Sequence, residues 1–384
     1  LYIKRGLTFM NNKEKVIIYP FTREFAPILR NESLLEEFEI IALISPPGLG
    51  VKDEDAGFID KGNNLGYKIR DSINSKLNDC ETVVIADNNL YDEYVDDIKY
   101  KQIDRVIDKG KNIICTLELD ENLRKKYKEK CQDIGVYFKY YSQESQKNEH
   151  VNREFLERIG VPVVFIAGLS EYSNKFYLQL SLRRRLLNDG YIVSQIGTRN
   201  YCEMLGFHSF PDYMLKNNIS ESNKVVLFNR YAKEIVDKES PDVLLIGIPG
   251  GIMPFNKEFN NKFGILAYEV SQALTPDFSI FSVLYDDFDE SYYDKLFTSI
   301  KYKLGFEVDC FNISNNQFNW QESKINKKIT LNNLNSNYID KKIKEYRKLN
   351  YPLFNILNKD NEANLFEYMI NTLSEYNQTE VLNL

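Results

Sequence analysis

The sequence predicts an α/β protein with two doubly wound, mostly parallel sheets and a small helical tail at its C-terminal end. Three observations predict it. Short, continuously apolar runs recur along the chain, and stretches of helical length separate them. Strands of that kind are buried on both faces, as in a parallel sheet between two helical layers. Two of the runs, ending near Gly168 and Gly247, break into glycine-bearing turns, and open parallel sheets hold their ligands at such strand ends.

The first block, residues 13–140, carries five runs. Lys15–Tyr19 (KVIIY), Glu39–Ile44 (EIIALI), Thr82–Ala86 (TVVIA), Asn112–Leu117 (NIICTL) and the weaker Val136–Tyr140 read as strands. Pro46, Pro47, Gly48 and Gly50 stop the second run, and Asp87, Asn88 and Asn89 follow the third. Gly66–Leu77, Asp92–Lys109 and Asp120–Ile134 have helical length. The layout is Rossmann-like, but FTREFAP follows the first run, without a glycine. The block therefore lacks the GxGxxG fingerprint, and a dinucleotide-dependent oxidoreductase is the weakest reading. Residues 141–160 are polar at first and read as a linker, with His150 exposed in it.

The second block, residues 161–327, opens with Val163–Ala167 (VVFIA). Tyr191–Ile196, Asp242–Ile248, Ser279–Tyr285 and Phe306–Phe311 read as further strands. Asn174–Asn188 reads as an amphipathic helix carrying Phe176, Leu178, Leu180, Leu182, Leu186 and Leu187; Lys224–Glu239 and Ser291–Leu304 read as others. The tail, residues 328–384, holds helices around Tyr338–Leu349 and Ala363–Tyr376.

Composition narrows the function classes. The chain has 384 residues, 43% hydrophobic and 27% charged, which excludes a disordered or collagen-like chain. Lys and Arg total 49 against 56 Asp and Glu, a net charge of −7. That balance argues against a nucleic-acid coat, which needs clustered cations. The five cysteines are scattered with no CxxC pair, so reduced thiols in a cytoplasmic protein are the expectation. No apolar run reaches the length of a membrane span, and the longest candidate, Val243–Met253, contains Pro249. Residues 1–12 read as an unstructured tail, with Met10 a candidate start.

The most informative stretch is VPVVFIAGLSEYSNKFYLQLSLRRRLL, residues 161–187. A buried strand runs into Gly168, then a short loop with Ser170, Ser173 and Asn174, then Lys175 at the start of a helix. A phosphate-binding loop needs that layout. Amides at a helix start lack intrahelical partners, the helix dipole adds positive potential, and a lysine reaches the anion's outer oxygens. The usual spacing is GxxxxGK[ST]; here six residues separate Gly168 from Lys175. This resembles the dethiobiotin-synthetase-like branch of P-loop proteins, whose loop runs roughly G-T-D-T-x-V-G-K-T. Gly168 and Lys175 match it and Ser173 falls at its valine. Asn174 stands for its second glycine, and Phe176 for the hydroxyl residue that would hold Mg²⁺. A phenyl ring cannot ligate a hard cation. Three readings stay open: a plain strand–loop–helix turn, a degenerate loop that binds ATP, GTP or another anion without hydrolysing it, and, less favoured than that, an active variant of the loop.

The second turn, PDVLLIGIPGGIMPFN at 241–256, matches the paired glycines of the same branch with Gly250 and Gly251, while Gly247 stands where its acidic residue would be. A pocket from 168–175, 197–202 and 247–256 is the expectation, with Arg199 placed to clamp a carboxylate or phosphate. The alternative is that these glycines are turn formers. Other candidates carry less. His208 and Asp212 would pair on a helix, but Pro211 between them argues for a turn; Cys202 near His208 is a weak thiol nucleophile. Glu269, on an expected helix, could face the pocket edge. Asp286, Asp287, Asp289 and Glu290 read as a solvated helix N-terminus or, less simply, a cation site.

The stretches GLSEYSNKFYLQLSLRRRLL, YIVSQIGTRNYCEMLGFHSFPDYM, PDVLLIGIPGGIMPFN, FGILAYEVSQA and YKLGFEVDCFNISN are similar to a bacterial family described as a peptide maturation system protein. The similarity is strongest over 161–315. The family is encoded beside bacteriocin-like precursor peptides and radical SAM maturases. What the resemblance implies is a cytoplasmic role in maturing a ribosomally made peptide, with the precursor peptide and a radical SAM maturase as partners. It supplies no catalytic residues. The alternative function is a non-catalytic scaffold or chaperone that presents the precursor to the maturase, in keeping with the chain's aromatic richness and acidic balance.

Overall fold

The computed structural model describes residues 13–45, 51–86, 93–141, 155–346 and 348–381. The proline–glycine stop at 46–50, the turn at 87–89, most of the 141–158 stretch with His150, and residues 1–12 lie outside the described residues. The chain divides into two compact units. The first comprises 1–26, 35–56 and 65–140; the second comprises 27–34, 57–64 and 141–384.

The first unit is a six-stranded, all-parallel sheet. Its strands are β1 (Glu14–Tyr19), β2 (Phe38–Ile44), β3 (Ile69–Arg70), β4 (Thr82–Ile85), β5 (Asn112–Cys115) and β6 (Phe138–Tyr140), in the order β3-β2-β1-β4-β5-β6. This is the doubly wound, Rossmann-like order, with the chain reversing direction across the sheet beside β1. Helix α1 (Ala26–Arg30) follows β1, and α2 (Glu93–Asp108) and α3 (Glu121–Ile134) follow β4 and β5. Ile17, Val83, Ile85, Ile113 and Cys115 of the sheet pack with Ile103, Val106 and Tyr127 of these two helices.

One element differs from expectation. Residues 66–77 form no helix; they hold β3 and a single 3₁₀ turn at Ile73–Ser75. The apolar spacing of Leu65, Ile69, Ile73 and Leu77 imitates a helix face. Ser72, Asn74 and Ser75 favour local side-chain bonds instead, and Ser75 Oγ donates to the Ser72 carbonyl at 3.1 Å.

The second unit is a seven-stranded, mixed sheet. Its strands are β7 (Val163–Gly168), β8 (Val193–Ile196), β9 (Val243–Gly247), β10 (Phe278–Tyr285), β11 (Cys310–Phe318), β12 (Leu331–Asn333) and β13 (Leu353–Phe354). The order is β12-β11-β10-β7-β9-β8, with β13 also on β11; β12 alone runs antiparallel. Its helices are α4 (Lys175–Asn188), α5 (Glu221–Glu239), α6 (Ile265–Ala273), α7 (Glu290–Leu304), α8 (Trp320–Asn326), α9 (Ser336–Ile343) and α10 (Lys359–Val381). The region 328–384 is thus largely helical, and its two short strands join the sheet.

Alternation along the strands explains the continuous apolar runs. Phe165, Leu244, Phe281 and Val283 face one layer, where Phe228 of α5, Val270 of α6 and Leu296 of α7 meet them. Val164, Ile166, Leu245 and Ile280 face the other, against Leu178 and Leu182 of α4 and Leu365 and Met369 of α10. Helix α4 is not amphipathic in place: Lys175 through Arg183 are all buried. On its far side Arg184 and Arg185 both pair with the buried carboxylate of Glu362 on α10, and Arg184 also donates to Asn31 at 2.8 Å.

Strand β11 begins four residues later than the expected Phe306–Phe311 run and continues through polar Asn312, Ser314, Asn315 and Asn316. Neighbouring groups take up most of their polar atoms, although Asn316 Oδ1 is buried without a partner among the described residues. Asn312 Nδ2 donates to Ser282 Oγ at 2.7 Å, and Asn315 Nδ2 donates to the carbonyls of Asp60 at 2.8 Å and Leu334 at 2.9 Å. Apolarity carries no signal for such a strand.

Candidate functional site

Strand β7 lies between β9 and β10. The chain leaves β7 toward β8 on one side and later returns to β10 on the other, so the loop after β7 sits at the switch point of the sheet. There the turn 168–175 meets the turn 247–251. The Lys175 ammonium donates to the Gly250 carbonyl. A Cβ on Gly251 would run into the Leu169 carbonyl, so the close approach of the two turns requires glycine at that position. Asn261 reaches both sides, donating from Nδ2 to Leu169 O at 3.3 Å and to Met253 O at 2.9 Å.

Asn174 adopts φ +62°. Glycine fills such a left-handed position freely, and asparagine is among the few other residues that tolerate it. Its Nδ2 donates to Asn315 Oδ1 at 3.2 Å. An asparagine at 174 therefore accepts a backbone conformation that a glycine would also take. The rest of the turn is held from β10 and β11: Ser282 Oγ donates to the Ser173 carbonyl and Asn316 Nδ2 to the Tyr172 carbonyl. Ser173 Oγ donates to Ser170 O at 3.0 Å. Ser170 Oγ is fully buried and has no hydrogen-bond partner among the described residues.

Lys175 is 4% exposed. Among the described residues no carboxylate stands within ion-pair distance of it, and the Gly250 carbonyl accepts one of its three N–H groups. Burial pushes its pKa down from 10.5 to about 7, against a lift from Glu171, while Arg199 adds to the depression. A buried ammonium with a single carbonyl acceptor is a costly arrangement, and an arriving anion would relieve it.

Phe176 is buried, edge-on to Tyr201 with ring centres 6.2 Å apart, and the Arg199 guanidinium lies 5.6 Å from its ring centre. Gly247 is closed over by Gln179, whose amide a Cβ on residue 247 would strike. Gln179 Oε1 accepts from Thr198 N at 3.2 Å, and its Nε2 donates to Thr198 Oγ1 at 3.3 Å and to Lys175 O at 3.2 Å. So Gln179 ties the loop after β8 to α4 and fills the place of a strand-end carboxylate. In the loops that the sequence resembles, a hydroxyl and an acid hold a divalent ion; Phe176 and Gly247 supply neither, so the residues present do not fit that ion.

The structure thus brings together Gly168, Ser170, Ser173, Asn174, Lys175, Gly247, Gly250 and Gly251, with Arg199 alongside over Phe176. A Cβ on Gly168 would lie 2.5 Å from Ser173 Oγ and 2.8 Å from Ser282 O, so that glycine serves tight packing. Gln179, Asn261, Ser282 and Asn316 escaped the sequence reading. Only the unusual density of asparagine in ISNNQ hinted at one of them.

The remaining candidates fall elsewhere. His208 Nε2 pairs with Glu239 Oε1 at 2.6 Å, not with Asp212, which opens a 3₁₀ turn after Pro211. Cys202 is buried, its thiol pKa is pushed far up by desolvation, and its Sγ donates to Arg199 O at 3.2 Å. That is no nucleophile. Glu269 faces Lys224 of α5, with 3.8 Å between Oε1 and Nζ, and not the loops. Asp289 caps α7 by accepting from Tyr292 N at 3.0 Å. All five cysteines are buried with free thiols. No helix among the described residues is long and apolar enough to cross a membrane.

No protein-family model matches the chain, and no curated protein matches it. Among solved structures, the chain is similar to a DUF1611 family protein from Anabaena variabilis, at 12% identity and a TM-score of 0.54, over 82% of this chain and 91% of that one. That likeness shows a shared fold. It is also aligned with an apo-form GTPase from Pyrococcus abyssi, at 18% identity and a TM-score of 0.25 over 40% of this chain and 66% of that one. An amine dehydrogenase from Mycobacterium smegmatis aligns at 17% identity and a TM-score of 0.26, over 33% and 39%. The last two alignments are too loose to carry an argument.

Proposed function

We propose that the second unit binds an anionic, phosphate-bearing ligand, with ATP and GTP as the named candidates, between the turns 168–175 and 247–251. On this reading it does so without ordinary Mg²⁺-dependent hydrolysis. One observation carries it: the Lys175 ammonium is enclosed at the start of α4 with a carbonyl for a partner and, among the described residues, no carboxylate within ion-pair distance. Helix-start amides and an enclosed lysine are the combination that cradles phosphate. Phe176 and Gly247 remove the groups that phosphoryl transfer uses to place its metal, which favours binding over turnover. The cellular role we propose is that of an accessory protein in maturing a ribosomally made peptide beside a radical SAM maturase. That context rests on the sequence resemblance alone, which spans most of the chain and is strongest over 161–315.

Calorimetric titration of ATP and GTP into the full chain tests the binding reading. Saturable heat at sub-millimolar nucleotide, with no release of phosphate over hours, is the expected result. A folded protein that gives no heat up to millimolar nucleotide contradicts it. The role in maturation is tested separately, by co-purifying the cognate precursor with and without this protein; identical recovery and processing would contradict that role and leave the binding reading standing.

A further inference from the structure

We infer that the ligand of this site is a nucleotide whose base stacks on an aromatic platform, made by Trp320 with Phe255, Phe259 and Phe318, beside the 169–172 part of the first turn. The inference rests on the anion-binding reading above and adds to it the ring that accompanies the phosphates.

Two side-chain amides lead from the turn to these rings. Asn261 Nδ2 donates both to Leu169 O and to Met253 O, and Phe255 lies two residues beyond Met253. Asn316 Nδ2 donates to Tyr172 O, and Phe318 lies two residues further along β11. Two residues of extended chain cover roughly 7 Å. The segment that leaves Gly250 and Gly251 and the strand that holds Tyr172 therefore bring their rings to one place. The ring centres of Phe255 and Phe318 are 4.9 Å apart, Phe259 meets Phe318 edge-on at 5.5 Å, and Trp320 lies 4.3 Å from Phe318. Lys175 stands at the opposite end of the same turn, against the Gly250 carbonyl.

The cluster is packed at its centre and open at its rim. Phe318 is 6% exposed, whereas Trp320 is 47% exposed, and Phe255 and Phe259 are half-buried. Backbone contacts fix the rim. Phe255 N donates to Phe259 O at 2.9 Å, and Asn256 Oδ1 accepts from the amides of Glu258 and Phe259, both at 2.8 Å. Asn319 caps α8 by accepting from Glu322 N at 3.1 Å, which sets Trp320 at a fixed helix start. Rings already ordered by packing lose little freedom when a flat ring covers them. Such a stack accepts any base, because every base presents a π-face. Inorganic phosphate held at Lys175 has nothing to lay on these rings, whereas a nucleotide does.

The chain has a single tryptophan, so its emission reports this platform alone. The test is titration of ATP, GTP and inorganic triphosphate into the full chain in EDTA, followed by heat and by tryptophan emission. ATP and GTP should each bind at least tenfold tighter than triphosphate and quench the emission with the midpoint seen in the heat. Triphosphate should give heat and leave the emission unchanged. In Trp320→Ala the ATP affinity should fall at least fivefold while triphosphate binds as before, and Trp320→Phe should recover part of the loss. Nucleotides that bind no tighter than triphosphate, or an ATP affinity that Trp320→Ala leaves unchanged, overturn the inference and leave the anion-binding reading intact. Equal quenching by triphosphate also overturns it, since the indole would then be sensing the phosphates. No heat with any of the three removes both.

Discussion

The ammonium of Lys175 donates to the backbone carbonyl of Gly250, joining the turn after β7 to the turn after β9 by a charge that has no carboxylate within ion-pair distance among the described residues. Structures retain an unpaired buried cation at a cost in stability when the charge is needed for something else. Replacing Lys175 by methionine keeps the length of the stem and removes the charge. We expect the Lys175→Met protein to be more stable than the wild type by about 1–2 kcal/mol, read from urea unfolding, and to have lost its anion binding. A destabilised Lys175→Met protein would mean that the carbonyl contact holds the two turns together.

The same lysine sets a pH dependence. In the unfolded chain it keeps its proton up to about 10.5, whereas burial and Arg199 bring it to about 7 in the folded protein, with Glu171 opposing. Between those values the unfolded state binds more protons, so this group's contribution to stability rises with pH across the window. Below about 7 both states are protonated and the full penalty applies. The advantage of Lys175→Met over wild type should therefore be largest at pH 6 and fade toward pH 10, measured as the difference between two unfolding curves at each pH. An advantage independent of pH would exclude a shifted lysine.

Asn174 offers a backbone test. Its φ of +62° suits asparagine and glycine. Asn174→Gly should change stability little, since it loses one half-exposed amide contact and gains conformational ease. Asn174→Val should cost about 1–2 kcal/mol through left-handed strain and should weaken anion binding by disturbing the amides of the turn. Equal effects from both variants would place the role of Asn174 in its side chain.

Gly247 and Gln179 form a coupled pair. A Cβ at 247 would strike the Gln179 amide, so Gly247→Ala should destabilise by about 1–3 kcal/mol. The change should be smaller in a Gln179→Ala background, where the amide is already gone. Additive effects in the double-mutant cycle would show that the two residues do not compete for space.

Much of the architecture was legible because it rests on burial. The runs at 15–19, 82–86 and 163–167 are apolar on both faces, and the helices at 120–134 and 224–239 carry caps or periodic apolar residues that survive any packing. The failures share one cause: hydrogen bonding overrode hydropathy. Leu65, Ile69, Ile73 and Leu77 keep helical spacing, yet the serines and asparagine among them prefer turns. The expected strand stopped at Phe311, yet β11 runs on through Asn312, Asn315 and Asn316, whose Nδ2 groups all find acceptors inside. The candidate site was legible only as far as its glycines and Lys175. Asn261 reaches it from 92 residues along the chain from Leu169, and no local pattern announces such a contact. Nor could the sequence show that Asn174 takes a left-handed conformation.

The most direct test of the central claim is to titrate pyrophosphate, in EDTA, into the wild-type chain and into Lys175→Met. Saturable heat with the wild type and none with the variant, both folded, is the predicted result. Absence of heat with the wild type, or the same affinity in both proteins, would contradict it.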